Sequence, residues 1–199
     1  MRSLTHFLHL IWKQIIPKGA TVVDATCGGG HDTLALAQLA LTPSSGHLLA
    51  LDIQQEALDK THDKLEKELP FEIIKRIKLI KEDHAHLDQI EPGLGHFDFV
   101  AYNLGYFPGG DKSITTQTTT TVQSLQKAFE RLKPEGFICA TCYVGHPHGP
   151  EEQKAVDAWI QTLNPSSCVV YHIEVPRKLA PMTRLIQKSK RCPNKEKRT

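Results

Sequence analysis

The chain has 199 residues, with 24 Lys and Arg against 22 Asp and Glu for a formal charge of +2, and 40% hydrophobic residues. That is enough for one domain to bury a core without disulfide or metal staples, and the near-neutral balance gives bulk electrostatics no say in the choice of partner. No apolar run approaches a bilayer span and no signal peptide opens the chain, so a membrane protein and a secreted disulfide scaffold are excluded and a cytoplasmic protein with reduced thiols is expected.

Residues Leu4 to Trp12 carry apolar side chains at helical spacing, with His6 and His9 between them. An apolar strand, Val22-Val23-Asp24, then runs through Ala25-Thr26-Cys27-Gly28-Gly29-Gly30 into a helical pattern that begins His31-Asp32-Thr33. Glycines at this junction let the backbone turn tightly and let a ligand lie against bare main chain. A dinucleotide fingerprint needs a further glycine three residues after the second, where this chain has Thr33, and a pyrophosphate would be repelled by Asp24 and Asp32. The acidic flanks suit a sulfonium and an amino group, which points to S-adenosylmethionine.

A second strand, His47 to Leu51, closes on Asp52, placed to accept the hydroxyls of a ribose, and a helix from Gln54 and Gln55 through Leu65 follows it. The third strand, Ile77 to Ile80, leads to Glu82-Asp83-His84-Ala85-His86, where Asp83 or His84 can hold an adenine edge. The fourth, Phe97 to Tyr102, ends in Asn103-Leu104-Gly105-Tyr106-Phe107-Pro108-Gly109-Gly110-Asp111-Lys112. Three glycines, two aromatics, an amide and an acid are too many special residues for a passive connection.

Thr115 to Thr121, six threonines around Gln117, reads as a loop and helix N-cap before an amphipathic helix over 122–132. A fifth strand over 136–140, a helix over 151–163 and two pairing strands over 169–175 and 184–188 complete the pattern. Alternating strands and helices predict an α/β fold whose mostly parallel sheet is covered on both faces. Cys139 and Cys142 fall in a strand pattern that points them to opposite faces, as buried free thiols. His84-Ala85-His86 and His146-Pro147-His148 have spacings that can serve a metal, but a metal has no part in sulfonium displacement and leaves the glycine turn unexplained. No metal is expected.

Four stretches carry a resemblance: the run from Asp24 to Thr33, Asp52-Ile53-Gln54, the run from Asn103 to Lys112, and Tyr143-Val144-Gly145-His146-Pro147-His148-Gly149 with Glu152. Together they resemble the small bacterial methyltransferases formerly labelled rRNA methylases, whose better-defined members are the tRNA 5-aminomethyl-2-thiouridine methyltransferases. The resemblance covers nearly the whole chain. It implies a Rossmann-like class I methyltransferase with a seven-stranded sheet, and methyl transfer to the exocyclic amine of the wobble uridine in a tRNA anticodon loop. The chain departs from the family at Val175-Pro176-Arg177-Lys178-Leu179-Ala180-Pro181, where relatives more often carry an asparagine and paired prolines, and at Phe107, where they often have leucine.

These readings define a candidate site. Donor binding falls to Asp24, Thr26, Cys27, Gly28, Gly30, His31, Asp32, Asp52, Gln54, Asp83, His84 and Asn103. Tyr106, Phe107, Gly109, Gly110, Asp111, Lys112, Tyr143, His146 and His148 form the substrate side, and Asn103, Tyr106 and Asp32 stand at the reaction, with Asp32 the candidate proton acceptor. Lys112, Arg177, Lys178 and Arg184 are candidate phosphate contacts. One methyltransferase domain with an N-terminal helix is expected over 1–188, followed by a basic tail over 189–199 that belongs to a cluster starting at Lys188. The sequence leaves open a homodimer, a different RNA base or small amine as acceptor, and a metal-dependent hydrolase or binding module.

Overall fold

A computed structural model describes residues 3–111 and 113–190. Helix α1 (Leu4–Ile15) precedes β1 (Thr21–Asp24), α2 (His31–Ala40), β2 (His47–Asp52), α3 (Gln55–Glu68), a single turn α4 (Phe71–Ile74) and β3 (Ile77–Lys81). The second half runs β4 (Phe97–Leu104), α5 (Thr118–Arg131), β5 (Leu132–Cys142), α6 (Gly149–Thr162), β6 (Cys168–Glu174) and β7 (Met182–Lys188).

The seven strands form one sheet in the order β3-β2-β1-β4-β5-β7-β6. All pairs are parallel except those of β7, which lies antiparallel to both β5 and β6. β1 is buried at all four residues because it is central and covered on both faces, which is why both Val22 and Val23 are apolar where a half-exposed strand would alternate. On one face α1, α2 and α3 bring Leu8, Trp12, Leu36 and Leu58 onto Val22, Phe99 and Leu185. On the other, α5 and α6 bring Leu125, Val156 and Trp159 onto Val23, Val100 and Ile138. Cys139 belongs to the first layer and Cys142 to the second, and burial pushes both thiols up to about 12.

Two elements start about four residues earlier than the sequence reading has them. α5 begins at Thr118, so four threonines form its first turn instead of a loop; Thr121 is buried there, its hydroxyl donating to Glu152 Oε1 at 2.6 Å. β5 begins at Leu132, with a register shift opposite Phe97 to Phe99 that absorbs the extra residues. Lys188 is no part of a free tail: its ammonium donates to the carbonyls of Phe129 and Leu132 at 2.8 Å, where it caps the exposed acceptors ending α5. The remaining tail cations from Arg191 onward lie outside the described residues.

Candidate active site

The site grows from the ends of β1, β2 and β4. After β1 the backbone is left-handed at Gly28 (φ +50°) and Gly30 (φ +75°). A Cβ on Gly30 would stand 2.9 Å from Thr61 Cα, so α3 lies directly against the turn and only glycine fits. Thr61 Oγ1 donates to the Gly28 carbonyl at 3.1 Å. Asp52 accepts from the Gly28 N–H at 3.0 Å through Oδ2 and from the Gln54 N–H at 2.9 Å through Oδ1, which fixes its carboxylate beside the turn. Burial raises the Asp52 carboxyl above the usual range, against the hydrogen bonds from Gln54 and Gly28.

Asp24 is fully buried beneath this turn, where it accepts from the Thr33 hydroxyl at 2.6 Å and the Thr26 N–H at 3.3 Å. Burial first, then the Asp32 charge, push its carboxyl up to about 7. The sequence suggests that Asp24 meets the donor directly; the structure instead closes the turn and α2 over it, so its influence passes through Thr26, Thr33 and its field.

Asp32, in the first turn of α2 and 8% exposed, is held from both sides. Its Oδ2 accepts from Asn103 Nδ2 at 2.7 Å, and its Oδ1 accepts from His9 Nε2 at 2.6 Å. The Asn103 N–H in turn donates to Thr26 Oγ1 at 2.7 Å, tying the end of β4 to the glycine turn. Helix α1 is thereby part of the site: His9 braces Asp32, and Thr5 bonds Tyr143, whose phenol is raised by burial and then by the Asp32 charge.

Over these strand ends lies a cavity of about 560 Å³. Thr26, Cys27, Gly28, His31, Asp32, Asp52, Gln54, Asp83, His84 and Asn103 line it, whereas Asp24 and Gly30 do not. At one end Asp83 accepts from the Ala85 N–H at 2.8 Å, and His84, 7% exposed, keeps a buried Nδ1 3.5 Å from Asp83 Oδ1 with no hydrogen bond made to it. Burial lowers the His84 pKa, so its ring is neutral near pH 7. Burial also pushes the Cys27 thiol up, away from the thiolate form that a nucleophile needs.

Tyr106, Phe107, Tyr143 and His146 line the other side. Tyr106 stands edge-on to His146 at 6.1 Å, and His146 Nε2 is buried without a partner. Phe107 packs onto the glycine turn, 3.3 Å from where a Cβ on Gly28 would stand, with Lys60 Nζ 4.9 Å from its ring centre. Gly109, Gly110, Asp111 and His148 do not line the cavity. A Cβ on Gly110 would meet Phe107 at 2.6 Å and Gln54 at 2.7 Å, and the Gly109 carbonyl accepts from Lys60 at 2.8 Å, so these glycines let the loop fold down onto α3. Asp111 closes a local turn by accepting from the Ser113 N–H at 2.8 Å and hydroxyl at 2.7 Å, bonds that hold it below the usual carboxylate range. Lys112 lies outside the described residues.

Several lining residues carry no local sequence signal, among them Thr5, Ile114, Thr116 and Thr120. Leu179 and Pro181 also line the cavity; their segment stands out in sequence only as a departure. Arg184 is not a phosphate contact. It is 3% exposed, donating to Asp157 at 2.7 and 3.1 Å and to Glu174 at 3.0 Å. Among the described residues no three His, Cys, Asp or Glu side chains group to hold a metal, and no helix is long and apolar enough to cross a membrane.

The family model "Putative rRNA methylase" matches residues 48–187. A chloroplastic protein of Arabidopsis thaliana named tRNA (mnm(5)s(2)U34)-methyltransferase is 38% identical over 185 residues, 91% of this chain and 68% of that protein. A crystal structure from Clostridium thermocellum, described as a "putative rRNA-methylase", superposes with a TM-score of 0.86 at 33% identity, covering 94% of this chain and 98% of its own. A methyltransferase from Streptococcus mutans, solved in complex with SAH, superposes with a TM-score of 0.80 at 28% identity, covering 94% of this chain and 99% of its own. By this match over most of its length, the chain belongs to the rRNA methylase family and is a class I, S-adenosylmethionine-dependent methyltransferase.

Proposed function

We propose that the acceptor is the exocyclic primary amine of 5-aminomethyl-2-thiouridine at the wobble position of tRNA, and that the product is 5-methylaminomethyl-2-thiouridine. The observation that carries this reading is the Asn103–Asp32 pair, an amide and a carboxylate joined at 2.7 Å on the floor of the cavity between the glycine turn and the exposed aromatics. The name of the Arabidopsis relative supports it.

S-adenosylmethionine supplies an electrophilic methyl group on a sulfonium. The chain's residues fit it: bare main chain at Gly28 and Gly29, the Asp52 carboxylate for ribose hydroxyls, the neutral His84 ring beside Asp83 for the adenine edge, and the Asp32 carboxylate nearby for positive charge. Little covalent help is needed, and the barrier falls mainly through alignment. An alkyl amine is largely protonated at neutral pH and must shed a proton to expose its lone pair. Asp32 accepts that hydrogen bond and proton, while His9 and Asn103 keep its two oxygens aimed. Tyr106 and Tyr143, 39% and 38% exposed, offer faces on which an unpaired pyrimidine stacks. The wobble base is already unpaired, so reaching it costs less than opening a duplex.

The test is incubation of the purified protein and donor with tRNA from cells lacking this activity, followed by nucleoside mass spectrometry. Conversion of the aminomethyl to the methylaminomethyl nucleoside is expected. Methylation of a different base, or only of small amines, would overturn the proposal.

A further inference from the structure

We propose that the turn between β6 and β7 is a wedge for single-stranded RNA, with Leu179 entering the stack beside the acceptor nucleotide and Arg177 and Lys178 taking the flanking phosphates. This rests on the RNA reading above; the sequence already offers Arg177 and Lys178 as phosphate contacts, and neither the family's names nor the sequence motifs assign Leu179 a role.

Leu179 is 63% exposed, the most exposed of the large apolar side chains that line the cavity. Its φ is +58°, a left-handed conformation that an L-residue rarely adopts and glycine adopts freely. The turn around it is closed by the Ala180 N–H donating to the Arg177 carbonyl at 3.1 Å, with Ala180 itself buried. Its base is rigid. Arg184 of β7 is clamped to Asp157 of α6 and reaches Glu174, the last residue of β6, so both strands entering the turn are fixed. An exposed leucine held in an unfavourable backbone conformation on a rigid base, at the mouth of a substrate cavity, is organised to meet a partner.

The chemistry of that partner follows from the neighbours. Arg177 and Lys178 precede the leucine and are exposed, while the nearest acidic side chain in sequence, Glu174, is engaged by Arg184. An apolar tip beside two cations and facing a cavity walled by Tyr106 and Tyr143 fits a polyanion with flat apolar bases. In an anticodon loop, the nucleotide turned into the cavity leaves a gap in the stack, and an apolar side chain fills such a gap without regard to sequence.

Leu179→Gly tests this cleanly, because glycine suits the observed φ and the turn survives the loss of the side chain. The variant should melt no lower than wild type and bind S-adenosylmethionine with unchanged affinity. Its kcat/KM for tRNA should fall by about tenfold or more, and Leu179→Met should recover most of it. Replacing both Arg177 and Lys178 by Ala should reduce the slope of log(kcat/KM) against log salt by about 1.4, the value for two lost single-strand phosphate contacts. Wild-type kcat/KM on tRNA for Leu179→Gly would overturn the wedge alone. A wild-type protein that methylates the free nucleoside as efficiently as whole tRNA would overturn the RNA reading and the wedge together.

Discussion

Asn103 and Asp32, 71 positions apart in the chain, meet through a 2.7 Å hydrogen bond from the amide nitrogen to Oδ2. The contact joins the end of β4 to the first turn of α2, and His9 completes it from α1 at 2.6 Å on the other oxygen. A carboxylate held at both oxygens keeps one orientation, which a displacement governed by alignment requires.

Removing the amide should therefore damage turnover more than binding. Asn103→Ala is expected to lower kcat by about 10- to 100-fold, with donor affinity changed by less than about threefold, because Asp32 loses one of its two restraints while the glycine turn and Asp52 stay in place. Calorimetry with S-adenosylmethionine and single-turnover kinetics with tRNA separate the two effects. Equal losses in both would mean that the pair serves the donor instead of the reaction.

Asp24 makes stability depend on pH. Its carboxyl goes from an ordinary value of 3.8 to about 7 in the folded protein, so the native state binds more protons than the unfolded state between those limits. Its contribution is complete below about pH 4 and is lost as pH rises toward 7, and Asp52, also raised by burial, acts in the same direction. Urea unfolding of the donor-free protein should show stability falling across that window, less steeply in Asp24→Asn. A cationic ligand favours the ionised carboxyl. Donor binding at pH 7 should then release a fraction of a proton, read as a binding enthalpy that changes with the ionisation enthalpy of the buffer, and Asp24→Asn should reduce that dependence.

Gly30 tests the turn itself. Gly30→Ala places a Cβ 2.9 Å from Thr61 Cα at a φ of +75°. A loss of roughly 2–4 kcal/mol in denaturant unfolding is expected from left-handed strain and overpacking together.

Glu152 ties the substrate loop to α6 without touching the cavity. It is 1% exposed and accepts from the hydroxyls of Thr116 at 2.7 Å and Thr121 at 2.6 Å. Thr116 also donates its N–H to the Gly105 carbonyl at 2.8 Å, next to Tyr106. Glu152→Ala leaves two hydroxyls unpaired and should cost about 2–4 kcal/mol. It should also raise KM for tRNA while donor affinity holds, and Glu152→Gln should restore part of both.

Much of the fold was legible because it is written in local patterns. The paired valines of β1, the glycines after it and Asp52 at the end of β2 each reflect a requirement met within a few residues, such as burial on both faces or a tight turn. Cys139 and Cys142 show the same logic: three positions apart on one strand, they fall into opposite layers. Where the sequence reading failed, a distant partner decided. Arg184 reads as a phosphate contact until Asp157 and Glu174 close on it, and the threonines before Val122 read as loop until Glu152 takes Thr121.

By itself, then, the sequence determined the alternation of strands and helices, the cradle for a nucleoside donor and the acidic strand ends, since each depends on periodicity and backbone freedom near one point of the chain. Tertiary structure alone decided that Asp24 lies beneath the site instead of in it, that His9 and Thr5 of α1 belong to it, and that Leu179 stands at its mouth. Those outcomes follow from the strand order β3-β2-β1-β4-β5-β7-β6 and the layering of helices upon it, which bring distant residues within hydrogen-bond reach and set which carboxylates keep their water.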